Sequence, residues 1–151
     1  MDPKRAGGPY RRWHGTFDHT ADVGLRATAG DGEGLLEEAA AALAELSSDV
    51  GVTRVLQAQE IEIEAADLVQ LAFRWLNELI GLAEVRGEAL ARTRISKVGR
   101  TPDGWVVRGR AWFAPFDAKV RPRVQVKAVT LHQLSVTSGG RGWALEAYLD
   151  V

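Results

Sequence analysis

The sequence predicts an α+β fold, a two-layer sandwich in which two helices pack on one face of a mixed, mostly antiparallel sheet. Three observations lead to this class. Apolar residues recur at helical spacing in two segments, over about 33–49 and about 67–83. A segment with the two-residue period of a strand precedes each helix. From residue 89 onward the period is two again, and strands that run together after the helices favour an α+β protein.

The first half of the chain contains both predicted helices. Residues 23–28 alternate apolar and polar side chains, which predicts a half-buried strand. The helix over 33–49 follows, and Gly51 fits the left-handed residue that ends many helices. Residues 60–64 form a second strand with glutamates on one face. Asp67 is the expected N-cap of the second helix, with Gln70 three residues later as in a capping box.

The second half is predicted to consist of strands. The turn Thr101–Gly104 joins two of them, because its proline presets φ and its glycine tolerates positive φ. Residues 124–130 alternate and predict a further strand, and His132 falls on its apolar side, where we expect a hydrogen-bonded core histidine. Residues 138–142 form a hairpin connection to a last strand over 143–149.

The size and composition indicate one domain. The chain has 151 residues, of which 46% are hydrophobic and 26% are charged, and this suffices for a hydrophobic core. We expect residues 1–10 to be a disordered lead-in and residues 11–151 to form the domain. The absence of cysteine excludes disulfides, thiolate metal sites and cysteine nucleophiles. No apolar run approaches the ~18 residues of a membrane span, and no secretory signal is found, so we expect a cytoplasmic protein without membrane contact.

The charge is unevenly distributed along the chain. Residues 86–127 contain eleven basic residues against three acids, a net charge of +8, whereas the remainder has eight basic residues against seventeen acids. A basic half of this kind can steer an acidic partner or a nucleic acid. Arginines that merely coat the exposed faces of strands explain it equally well.

Two segments carry acidic side chains that could bind a metal. Asp18, His19 and Asp22 lie within five residues, and oxygen clusters of this kind suit Ca²⁺ or Mg²⁺, while a nearby histidine admits Zn²⁺ or Mn²⁺. From spacing alone, a turn stabilised by side chains that bond their own backbone is favoured. At the other end, the terminal carboxylate of Val151 follows Asp150, and adjacent acids repel unless a cation lies nearby. The alternative there is a solvated tail.

Together these segments resemble the archease family, from about Trp13 to Val151. The segments that carry the resemblance, in this order, are Asp18–Gly24, Leu36–Ala39, Phe73–Leu79, Val126–His132 and the final Asp150–Val151. The resemblance implies an accessory protein, not an enzyme. Archeases promote the guanylylation and multiple turnover of the RtcB-type RNA ligase, which joins RNA ends in tRNA splicing and RNA repair.

The resemblance also implies site residues. The family's divalent-metal site, for Ca²⁺, Mg²⁺ or Mn²⁺, corresponds to Asp22 and Asp150. Its neighbours in this chain are Asp18, His19 and the Val151 carboxylate, and the residues expected to contact the ligase, its tRNA or GTP phosphates are Lys127, Arg121 and Arg123. Lys127 matches a lysine of the family. It could neutralise the acids or a phosphate, or extend to solvent.

The chain departs from the family in two places, and other functions stay open. Trp112–Ala114 stands where family members often carry Trp-Gly-Glu, and Asp117–Lys119 lacks a histidine often found there. No Gly-rich phosphate loop or nucleophile elbow is present. The alternatives are a small metal-dependent phosphoesterase with His19 as acid or base, an RNA-binding module that uses the basic half, and a chaperone-like scaffold without a metal.

Overall fold

The computed structural model of the protein describes residues 8–19, 22–51 and 57–151, with His19, Asp22 and Gln57 described by their backbone alone. The helices are α1, Gly32–Ser47, and α2, Leu68–Arg86. The strands are β1 Trp13–His19, β2 Asp22–Ala29, β3 Ser48–Asp49, β4 Gln57–Ala65, β5 Glu88–Thr101, β6 Gly104–Pro115, β7 Arg121–Pro122, β8 Ala128–Val129, β9 Ser135–Gly139 and β10 Gly142–Asp150.

The strands divide between separate sheets. β1, β2, β10 and β8 lie side by side in that order, and β9 also pairs with β10, which makes the main sheet five-stranded. β4, β6 and β5 form a three-stranded sheet, and β3 pairs with β7. In the part of the chain that the structure describes, every strand pairing is antiparallel. The predicted α+β class, with two helices and mostly antiparallel strands, is confirmed, whereas the division between sheets is not indicated by the residue pattern.

Both helices begin at an aspartate whose side chain caps the first turn. Asp31 accepts a hydrogen bond from the backbone N–H of Gly34 at 2.7 Å, and Asp67 accepts one from Gln70 at 2.8 Å. The backbone of both caps is extended. Each side chain therefore satisfies one of the N–H groups that a helix start leaves unpaired. The N-cap predicted at Asp67 is confirmed.

The first helix ends earlier than the sequence predicts. Its last residue is Ser47, and Ser48 enters β3, where it pairs with Pro122 of β7. Gly51 has a φ of +58°, but it lies beyond the helix, so its predicted role as the residue that ends α1 is wrong. A glycine in the left-handed conformation instead ends α2, where Gly87 is the C-cap with a φ of +64°.

The core lies between the helices and the two larger sheets. Leu35, Trp75, Phe113 and Leu145 are almost completely buried, and each such side chain stabilises the fold by about 1.5–3 kcal/mol. Trp75 donates its indole N–H to the carbonyl of Leu36 at 3.3 Å and so joins the two helices. α1 packs against β1, β2, β5 and β10, while α2 packs against β4, β5, β6, β8 and β9. Both helices therefore contact both sheets.

Two glutamates of α1 attach the helix to the irregular part of β5. Glu37 accepts the backbone N–H of Ile95 at 2.7 Å, and Glu33 accepts that of Val98 at 2.9 Å. The register of β5 against β6 shifts between Ile95 and Lys97. Because β5 is the outer strand of its sheet, its N–H groups need partners from elsewhere, and the helix supplies them.

Three expectations about strands are corrected by the structure. β1 is absent from the predicted elements because the residues that pair with the buried apolar Leu25 and Ala27 of β2 are the polar Thr16 and His14. The predicted strand over 124–130 is wrong except for β8, since the rest of that segment is irregular. His132 is exposed in a turn, followed by Gln133 with a φ of +56°, so the predicted core position is also wrong.

The start of the described chain lies against the β9–β10 hairpin. Tyr10 donates its backbone N–H to the carbonyl of Arg141 at 2.6 Å, and Arg141 donates to the carbonyl of Gly8 at 2.9 Å. The remainder of the predicted lead-in, residues 1–7, lies outside the described residues. Neither described helix combines the length and the apolar character that a bilayer crossing needs.

Candidate functional site

The pairing of β2 with β10 brings the two ends of the domain together. The register runs from Trp143 opposite Ala29 to Leu149 opposite Val23. One position further along the same register, Asp150 comes opposite Asp22. A metal site shared by Asp22 and Asp150 requires these two strands to be neighbours, and they are. We call this end of the five-stranded sheet the acidic end.

The β1–β2 hairpin adds two more predicted site residues to the acidic end. His19 pairs with Asp22 across the hairpin, and Asp18 pairs with Val23. Asp18 is exposed to solvent. The sequence also allowed a turn here, stabilised by Asp and Thr side chains that bond their own backbone. That turn includes Thr20 and Ala21, which lie outside the described residues.

Lys127 reaches the acidic end from the other side of β10. Its backbone N–H donates to the carbonyl of Asp150 at 2.8 Å, and Ala128 pairs with Asp150. Lys127, Asp150 and Val151 are all exposed, so a cation accompanies the acids at the surface.

Asn77 of α2 holds β8 in place, and the sequence analysis did not single it out. Its amide donates to the carbonyl of Val129 at 3.0 Å and accepts the N–H of Val129 at 2.9 Å. The side chain thus pairs with both backbone groups of Val129, as a neighbouring strand would. The signal that could have found it is an amide between the buried Leu76 and Leu79.

An aromatic group covers the middle of the same sheet. The ring of Phe17 lies over Gly24, where an added Cβ would come within 2.1 Å of it, so only glycine fits at that position. Phe17 meets Tyr148 edge to face at 5.8 Å, and the guanidinium of Arg26 lies 4.2 Å from the Phe17 centroid. Arg26 also forms a 3.0 Å ion pair with Glu146. A hydrogen bond from Tyr148 to Glu146 raises the pKa of the Tyr148 phenol.

His14 of β1 lies between two carboxylates of α1. Its Nδ1 is 2.7 Å from Glu38 and its Nε2 is 2.8 Å from Glu45. Burial alone would lower the pKa of the imidazole, but the hydrogen bonds and charges of the two glutamates outweigh it, so the pKa of His14 is raised. The contact fastens β1, and with it Asp18 and His19, to the helix.

The donor set at the acidic end suits a hard divalent cation. Carboxylate oxygens come from Asp18 and Asp150, and Ca²⁺ and Mg²⁺ prefer oxygen ligands. Among the side chains that the structure describes, no three His, Asp or Glu converge closely enough to form a ligand cluster. The side chains of His19 and Asp22 lie outside that description.

The other two predicted basic contacts have structural partners. Arg123 donates to the carbonyl of Glu45 at 3.0 Å and approaches Asp49 at 3.6 Å, so its positive charge lies at the C-terminus of α1. Arg121 donates to the carbonyl of Ala118 at 3.1 Å. A cleft of about 620 Å³ beside these residues runs between the ends of both helices, and Lys127 lies on its rim.

Comparison with known proteins identifies the family. The model of the archease protein family (MTH1598/TM1083) matches residues 14–151. The chain belongs to the archease family. The archease of Methanopyrus kandleri is 36% identical over 136 residues, which cover 89% of this chain and 96% of that protein. The archease of Pyrococcus abyssi is 28% identical over 143 residues, 93% and 99% of the two chains.

Solved structures agree with the fold. The solution structure of Methanobacterium thermoautotrophicum protein 1598 matches with a TM-score of 0.77 at 28% identity, over 91% of this chain and 98% of that one. A crystal structure of a Thermotoga maritima archease, described as a possible chaperone, matches with a TM-score of 0.57 at 23% identity, over 89% and 94% of the chains. The latter likeness shows a shared fold.

The departure at Trp112–Ala114 lies on β6, in the three-stranded sheet. Ala114 is fully buried beside Val120, so no acidic group is presented there. Trp112 is partly exposed, and the guanidinium of Arg92 lies 4.5 Å from its ring centroid.

Proposed function

We propose that this archease activates an RNA ligase of the RtcB type, in tRNA splicing or RNA repair, by promoting guanylylation and repeated turnover of the ligase. Family membership supports an accessory role of this kind. The observation that carries the proposal is the pairing of β2 with β10, whose register runs as far as Val23 and Leu149, the residues next to Asp22 and Asp150 in the sequence. A cytoplasmic location belongs to the same proposal.

In this proposal Asp22 and Asp150 hold one divalent cation, Ca²⁺, Mg²⁺ or Mn²⁺, with Asp18, His19 and the Val151 carboxylate as neighbours. Two carboxylates that share one site repel each other, and a shared cation removes that repulsion. When bound, the cation supplies positive charge that can stabilise phosphate oxygens during guanylylation. The acidic end would thus present a charged group to the ligase.

Lys127 is the second chemical group of this proposal. Its ammonium is exposed, and its backbone is fixed by the hydrogen bond to Asp150. A lysine in this position can contact a carboxylate of the ligase or a phosphate of GTP or tRNA. Arg123 is less available for this role, because it is already bonded to the end of α1.

The proposal is tested with purified ligase, labelled GTP and substoichiometric amounts of the archease. Asp22→Asn and Asp150→Asn keep the size of the side chain and remove its charge, so we expect each to abolish the stimulation of guanylylation. Calorimetric titration with Ca²⁺, Mg²⁺ and Mn²⁺ should show binding to the parent protein and none to these variants. Asp103→Asn, in the exposed β5–β6 turn, is the matched control and should behave as the parent.

Two results would contradict the proposal. Full stimulation of the ligase by Asp22→Asn, with an unchanged circular dichroism spectrum, would remove the metal site from the mechanism. Metal-dependent hydrolysis of phosphate esters without ligase, lost in the same variants, would favour a phosphoesterase instead.

A further inference from the structure

The three-stranded sheet places like charges directly opposite each other. Arg94 of β5 pairs with Arg110 of β6, and Lys97 pairs with Arg108. All four residues are exposed. Like charges at directly opposed positions destabilise a sheet, so this block of cations costs stability in the isolated protein. An anion bound over the block would remove that cost.

Carboxylates neutralise the block on one side only. On β4, Glu60 forms an ion pair with Arg110, and Glu62 forms one with Arg108 at 3.0 Å. Within the described residues, Arg94 and Lys97 have no ion-pair partner. Positive charge is therefore concentrated along β5, the outer strand of the sheet.

A partly exposed aromatic ring adjoins the cations. Trp112 lies one outward position beyond Arg110 on β6, and Arg92 of β5 stacks over it. A shallow hollow of about 580 Å³ on this surface is lined by Arg94, Arg108, Arg110 and Trp112, among others. Cations and a stacking group thus share one face.

We propose that this face binds a single-stranded nucleic acid. Guanidinium groups bind phosphate oxygens through paired hydrogen bonds, and no side chain or carbonyl of the described residues accepts a hydrogen bond from the Arg94 guanidinium. Outward residues of one strand are spaced by roughly 7 Å, so Arg92 and Arg94 can follow an extended phosphate backbone. Bases stack on aromatic rings and on guanidinium planes, and Trp112 and Arg92 supply one of each. An acidic peptide has no bases that could stack on this surface. The inference does not depend on ligase activation.

The test uses fluorescence anisotropy with labelled oligonucleotides of about 12 residues, as RNA and as DNA. Binding should weaken as salt rises. The double variant Arg94→Gln/Lys97→Gln, which removes the two cations of the block that have no ion-pair partner within the described residues, should weaken it about tenfold. It should also reduce the slope of log K against log salt by about 1.4, the amount expected for two lost phosphate contacts. Trp112→Leu should weaken binding and leave the slope unchanged. A preference for RNA would identify contacts to the 2′-hydroxyl, and equal binding would show that phosphates and bases are recognised without it.

Controls distinguish this face from general charge attraction. Arg11→Gln/Lys119→Gln removes the same charge at exposed positions elsewhere and should leave the affinity within twofold. The melting temperature of Arg94→Gln/Lys97→Gln should not fall by more than a few degrees, since both side chains are exposed and the repulsion between like charges is relieved. An equal loss in the control variant, no binding at low salt, or tighter binding of an oligoglutamate of equal charge would overturn the proposal.

Discussion

Asn77 offers a direct test of how the acidic end is held together. In Asn77→Ala, both backbone groups of Val129 lose their partner. Each such hydrogen bond contributes about 1–1.5 kcal/mol, and alanine returns about 0.6 kcal/mol through its higher helix propensity. We therefore expect the free energy of unfolding to fall by about 2 kcal/mol.

The effect should also be local, because β8 is a two-residue strand whose other side is bonded to β10. Without Asn77, the segment that carries Lys127 should open more often than the rest of the sheet. The amide of Val129 should exchange with solvent much faster, and the Lys127 amide, bonded to Asp150, should follow.

The measurement is urea unfolding followed by circular dichroism, together with amide hydrogen exchange. Glu78→Ala changes the next, exposed residue of α2 and should alter the unfolding free energy by less than about 0.5 kcal/mol. If Asn77→Ala matched this control, with the Val129 amide still protected, the assigned role of Asn77 would be wrong.

Two further predictions concern the packing and titration of β1. Gly24→Ala should destabilise the protein by about 1–3 kcal/mol, because the new methyl group collides with the Phe17 ring, whereas Gly140→Ala has open space and should be nearly neutral in thermal unfolding. His14 has a raised pKa, so its stabilising contribution is complete below the unfolded pKa of 6.5 and is lost as pH rises through the folded pKa. Urea unfolding should therefore show a loss of stability as pH rises above about 6.5 that His14→Gln lacks, and equal pH profiles would refute this.

The sequence by itself determined the elements whose causes are local. The apolar stripes of α1 and α2, the cap at Asp67 and the hairpins depend on residues a few positions apart, so periodicity and turn chemistry suffice to predict them. The resemblance to archeases also lies in short segments, and the family match confirms it. β1 was not predicted because His14 and Thr16 are polar at positions where a half-buried strand ordinarily has apolar side chains.

Only the tertiary structure decided which strands are neighbours. The pairing of β2 with β10 brings the start of β2, at Asp22, to the same end of the sheet as Asp150, and the pairing of β5 with β6 sets Arg94 opposite Arg110. The tertiary structure also decided that His132 is exposed. The chain is no longer a strand after β8, so the alternation of apolar and polar residues there does not predict which side chains are buried. Contacts between distant segments depend on how whole helices and strands bury their apolar faces together. The spacing of residues along one segment does not show which other segment it will pack against.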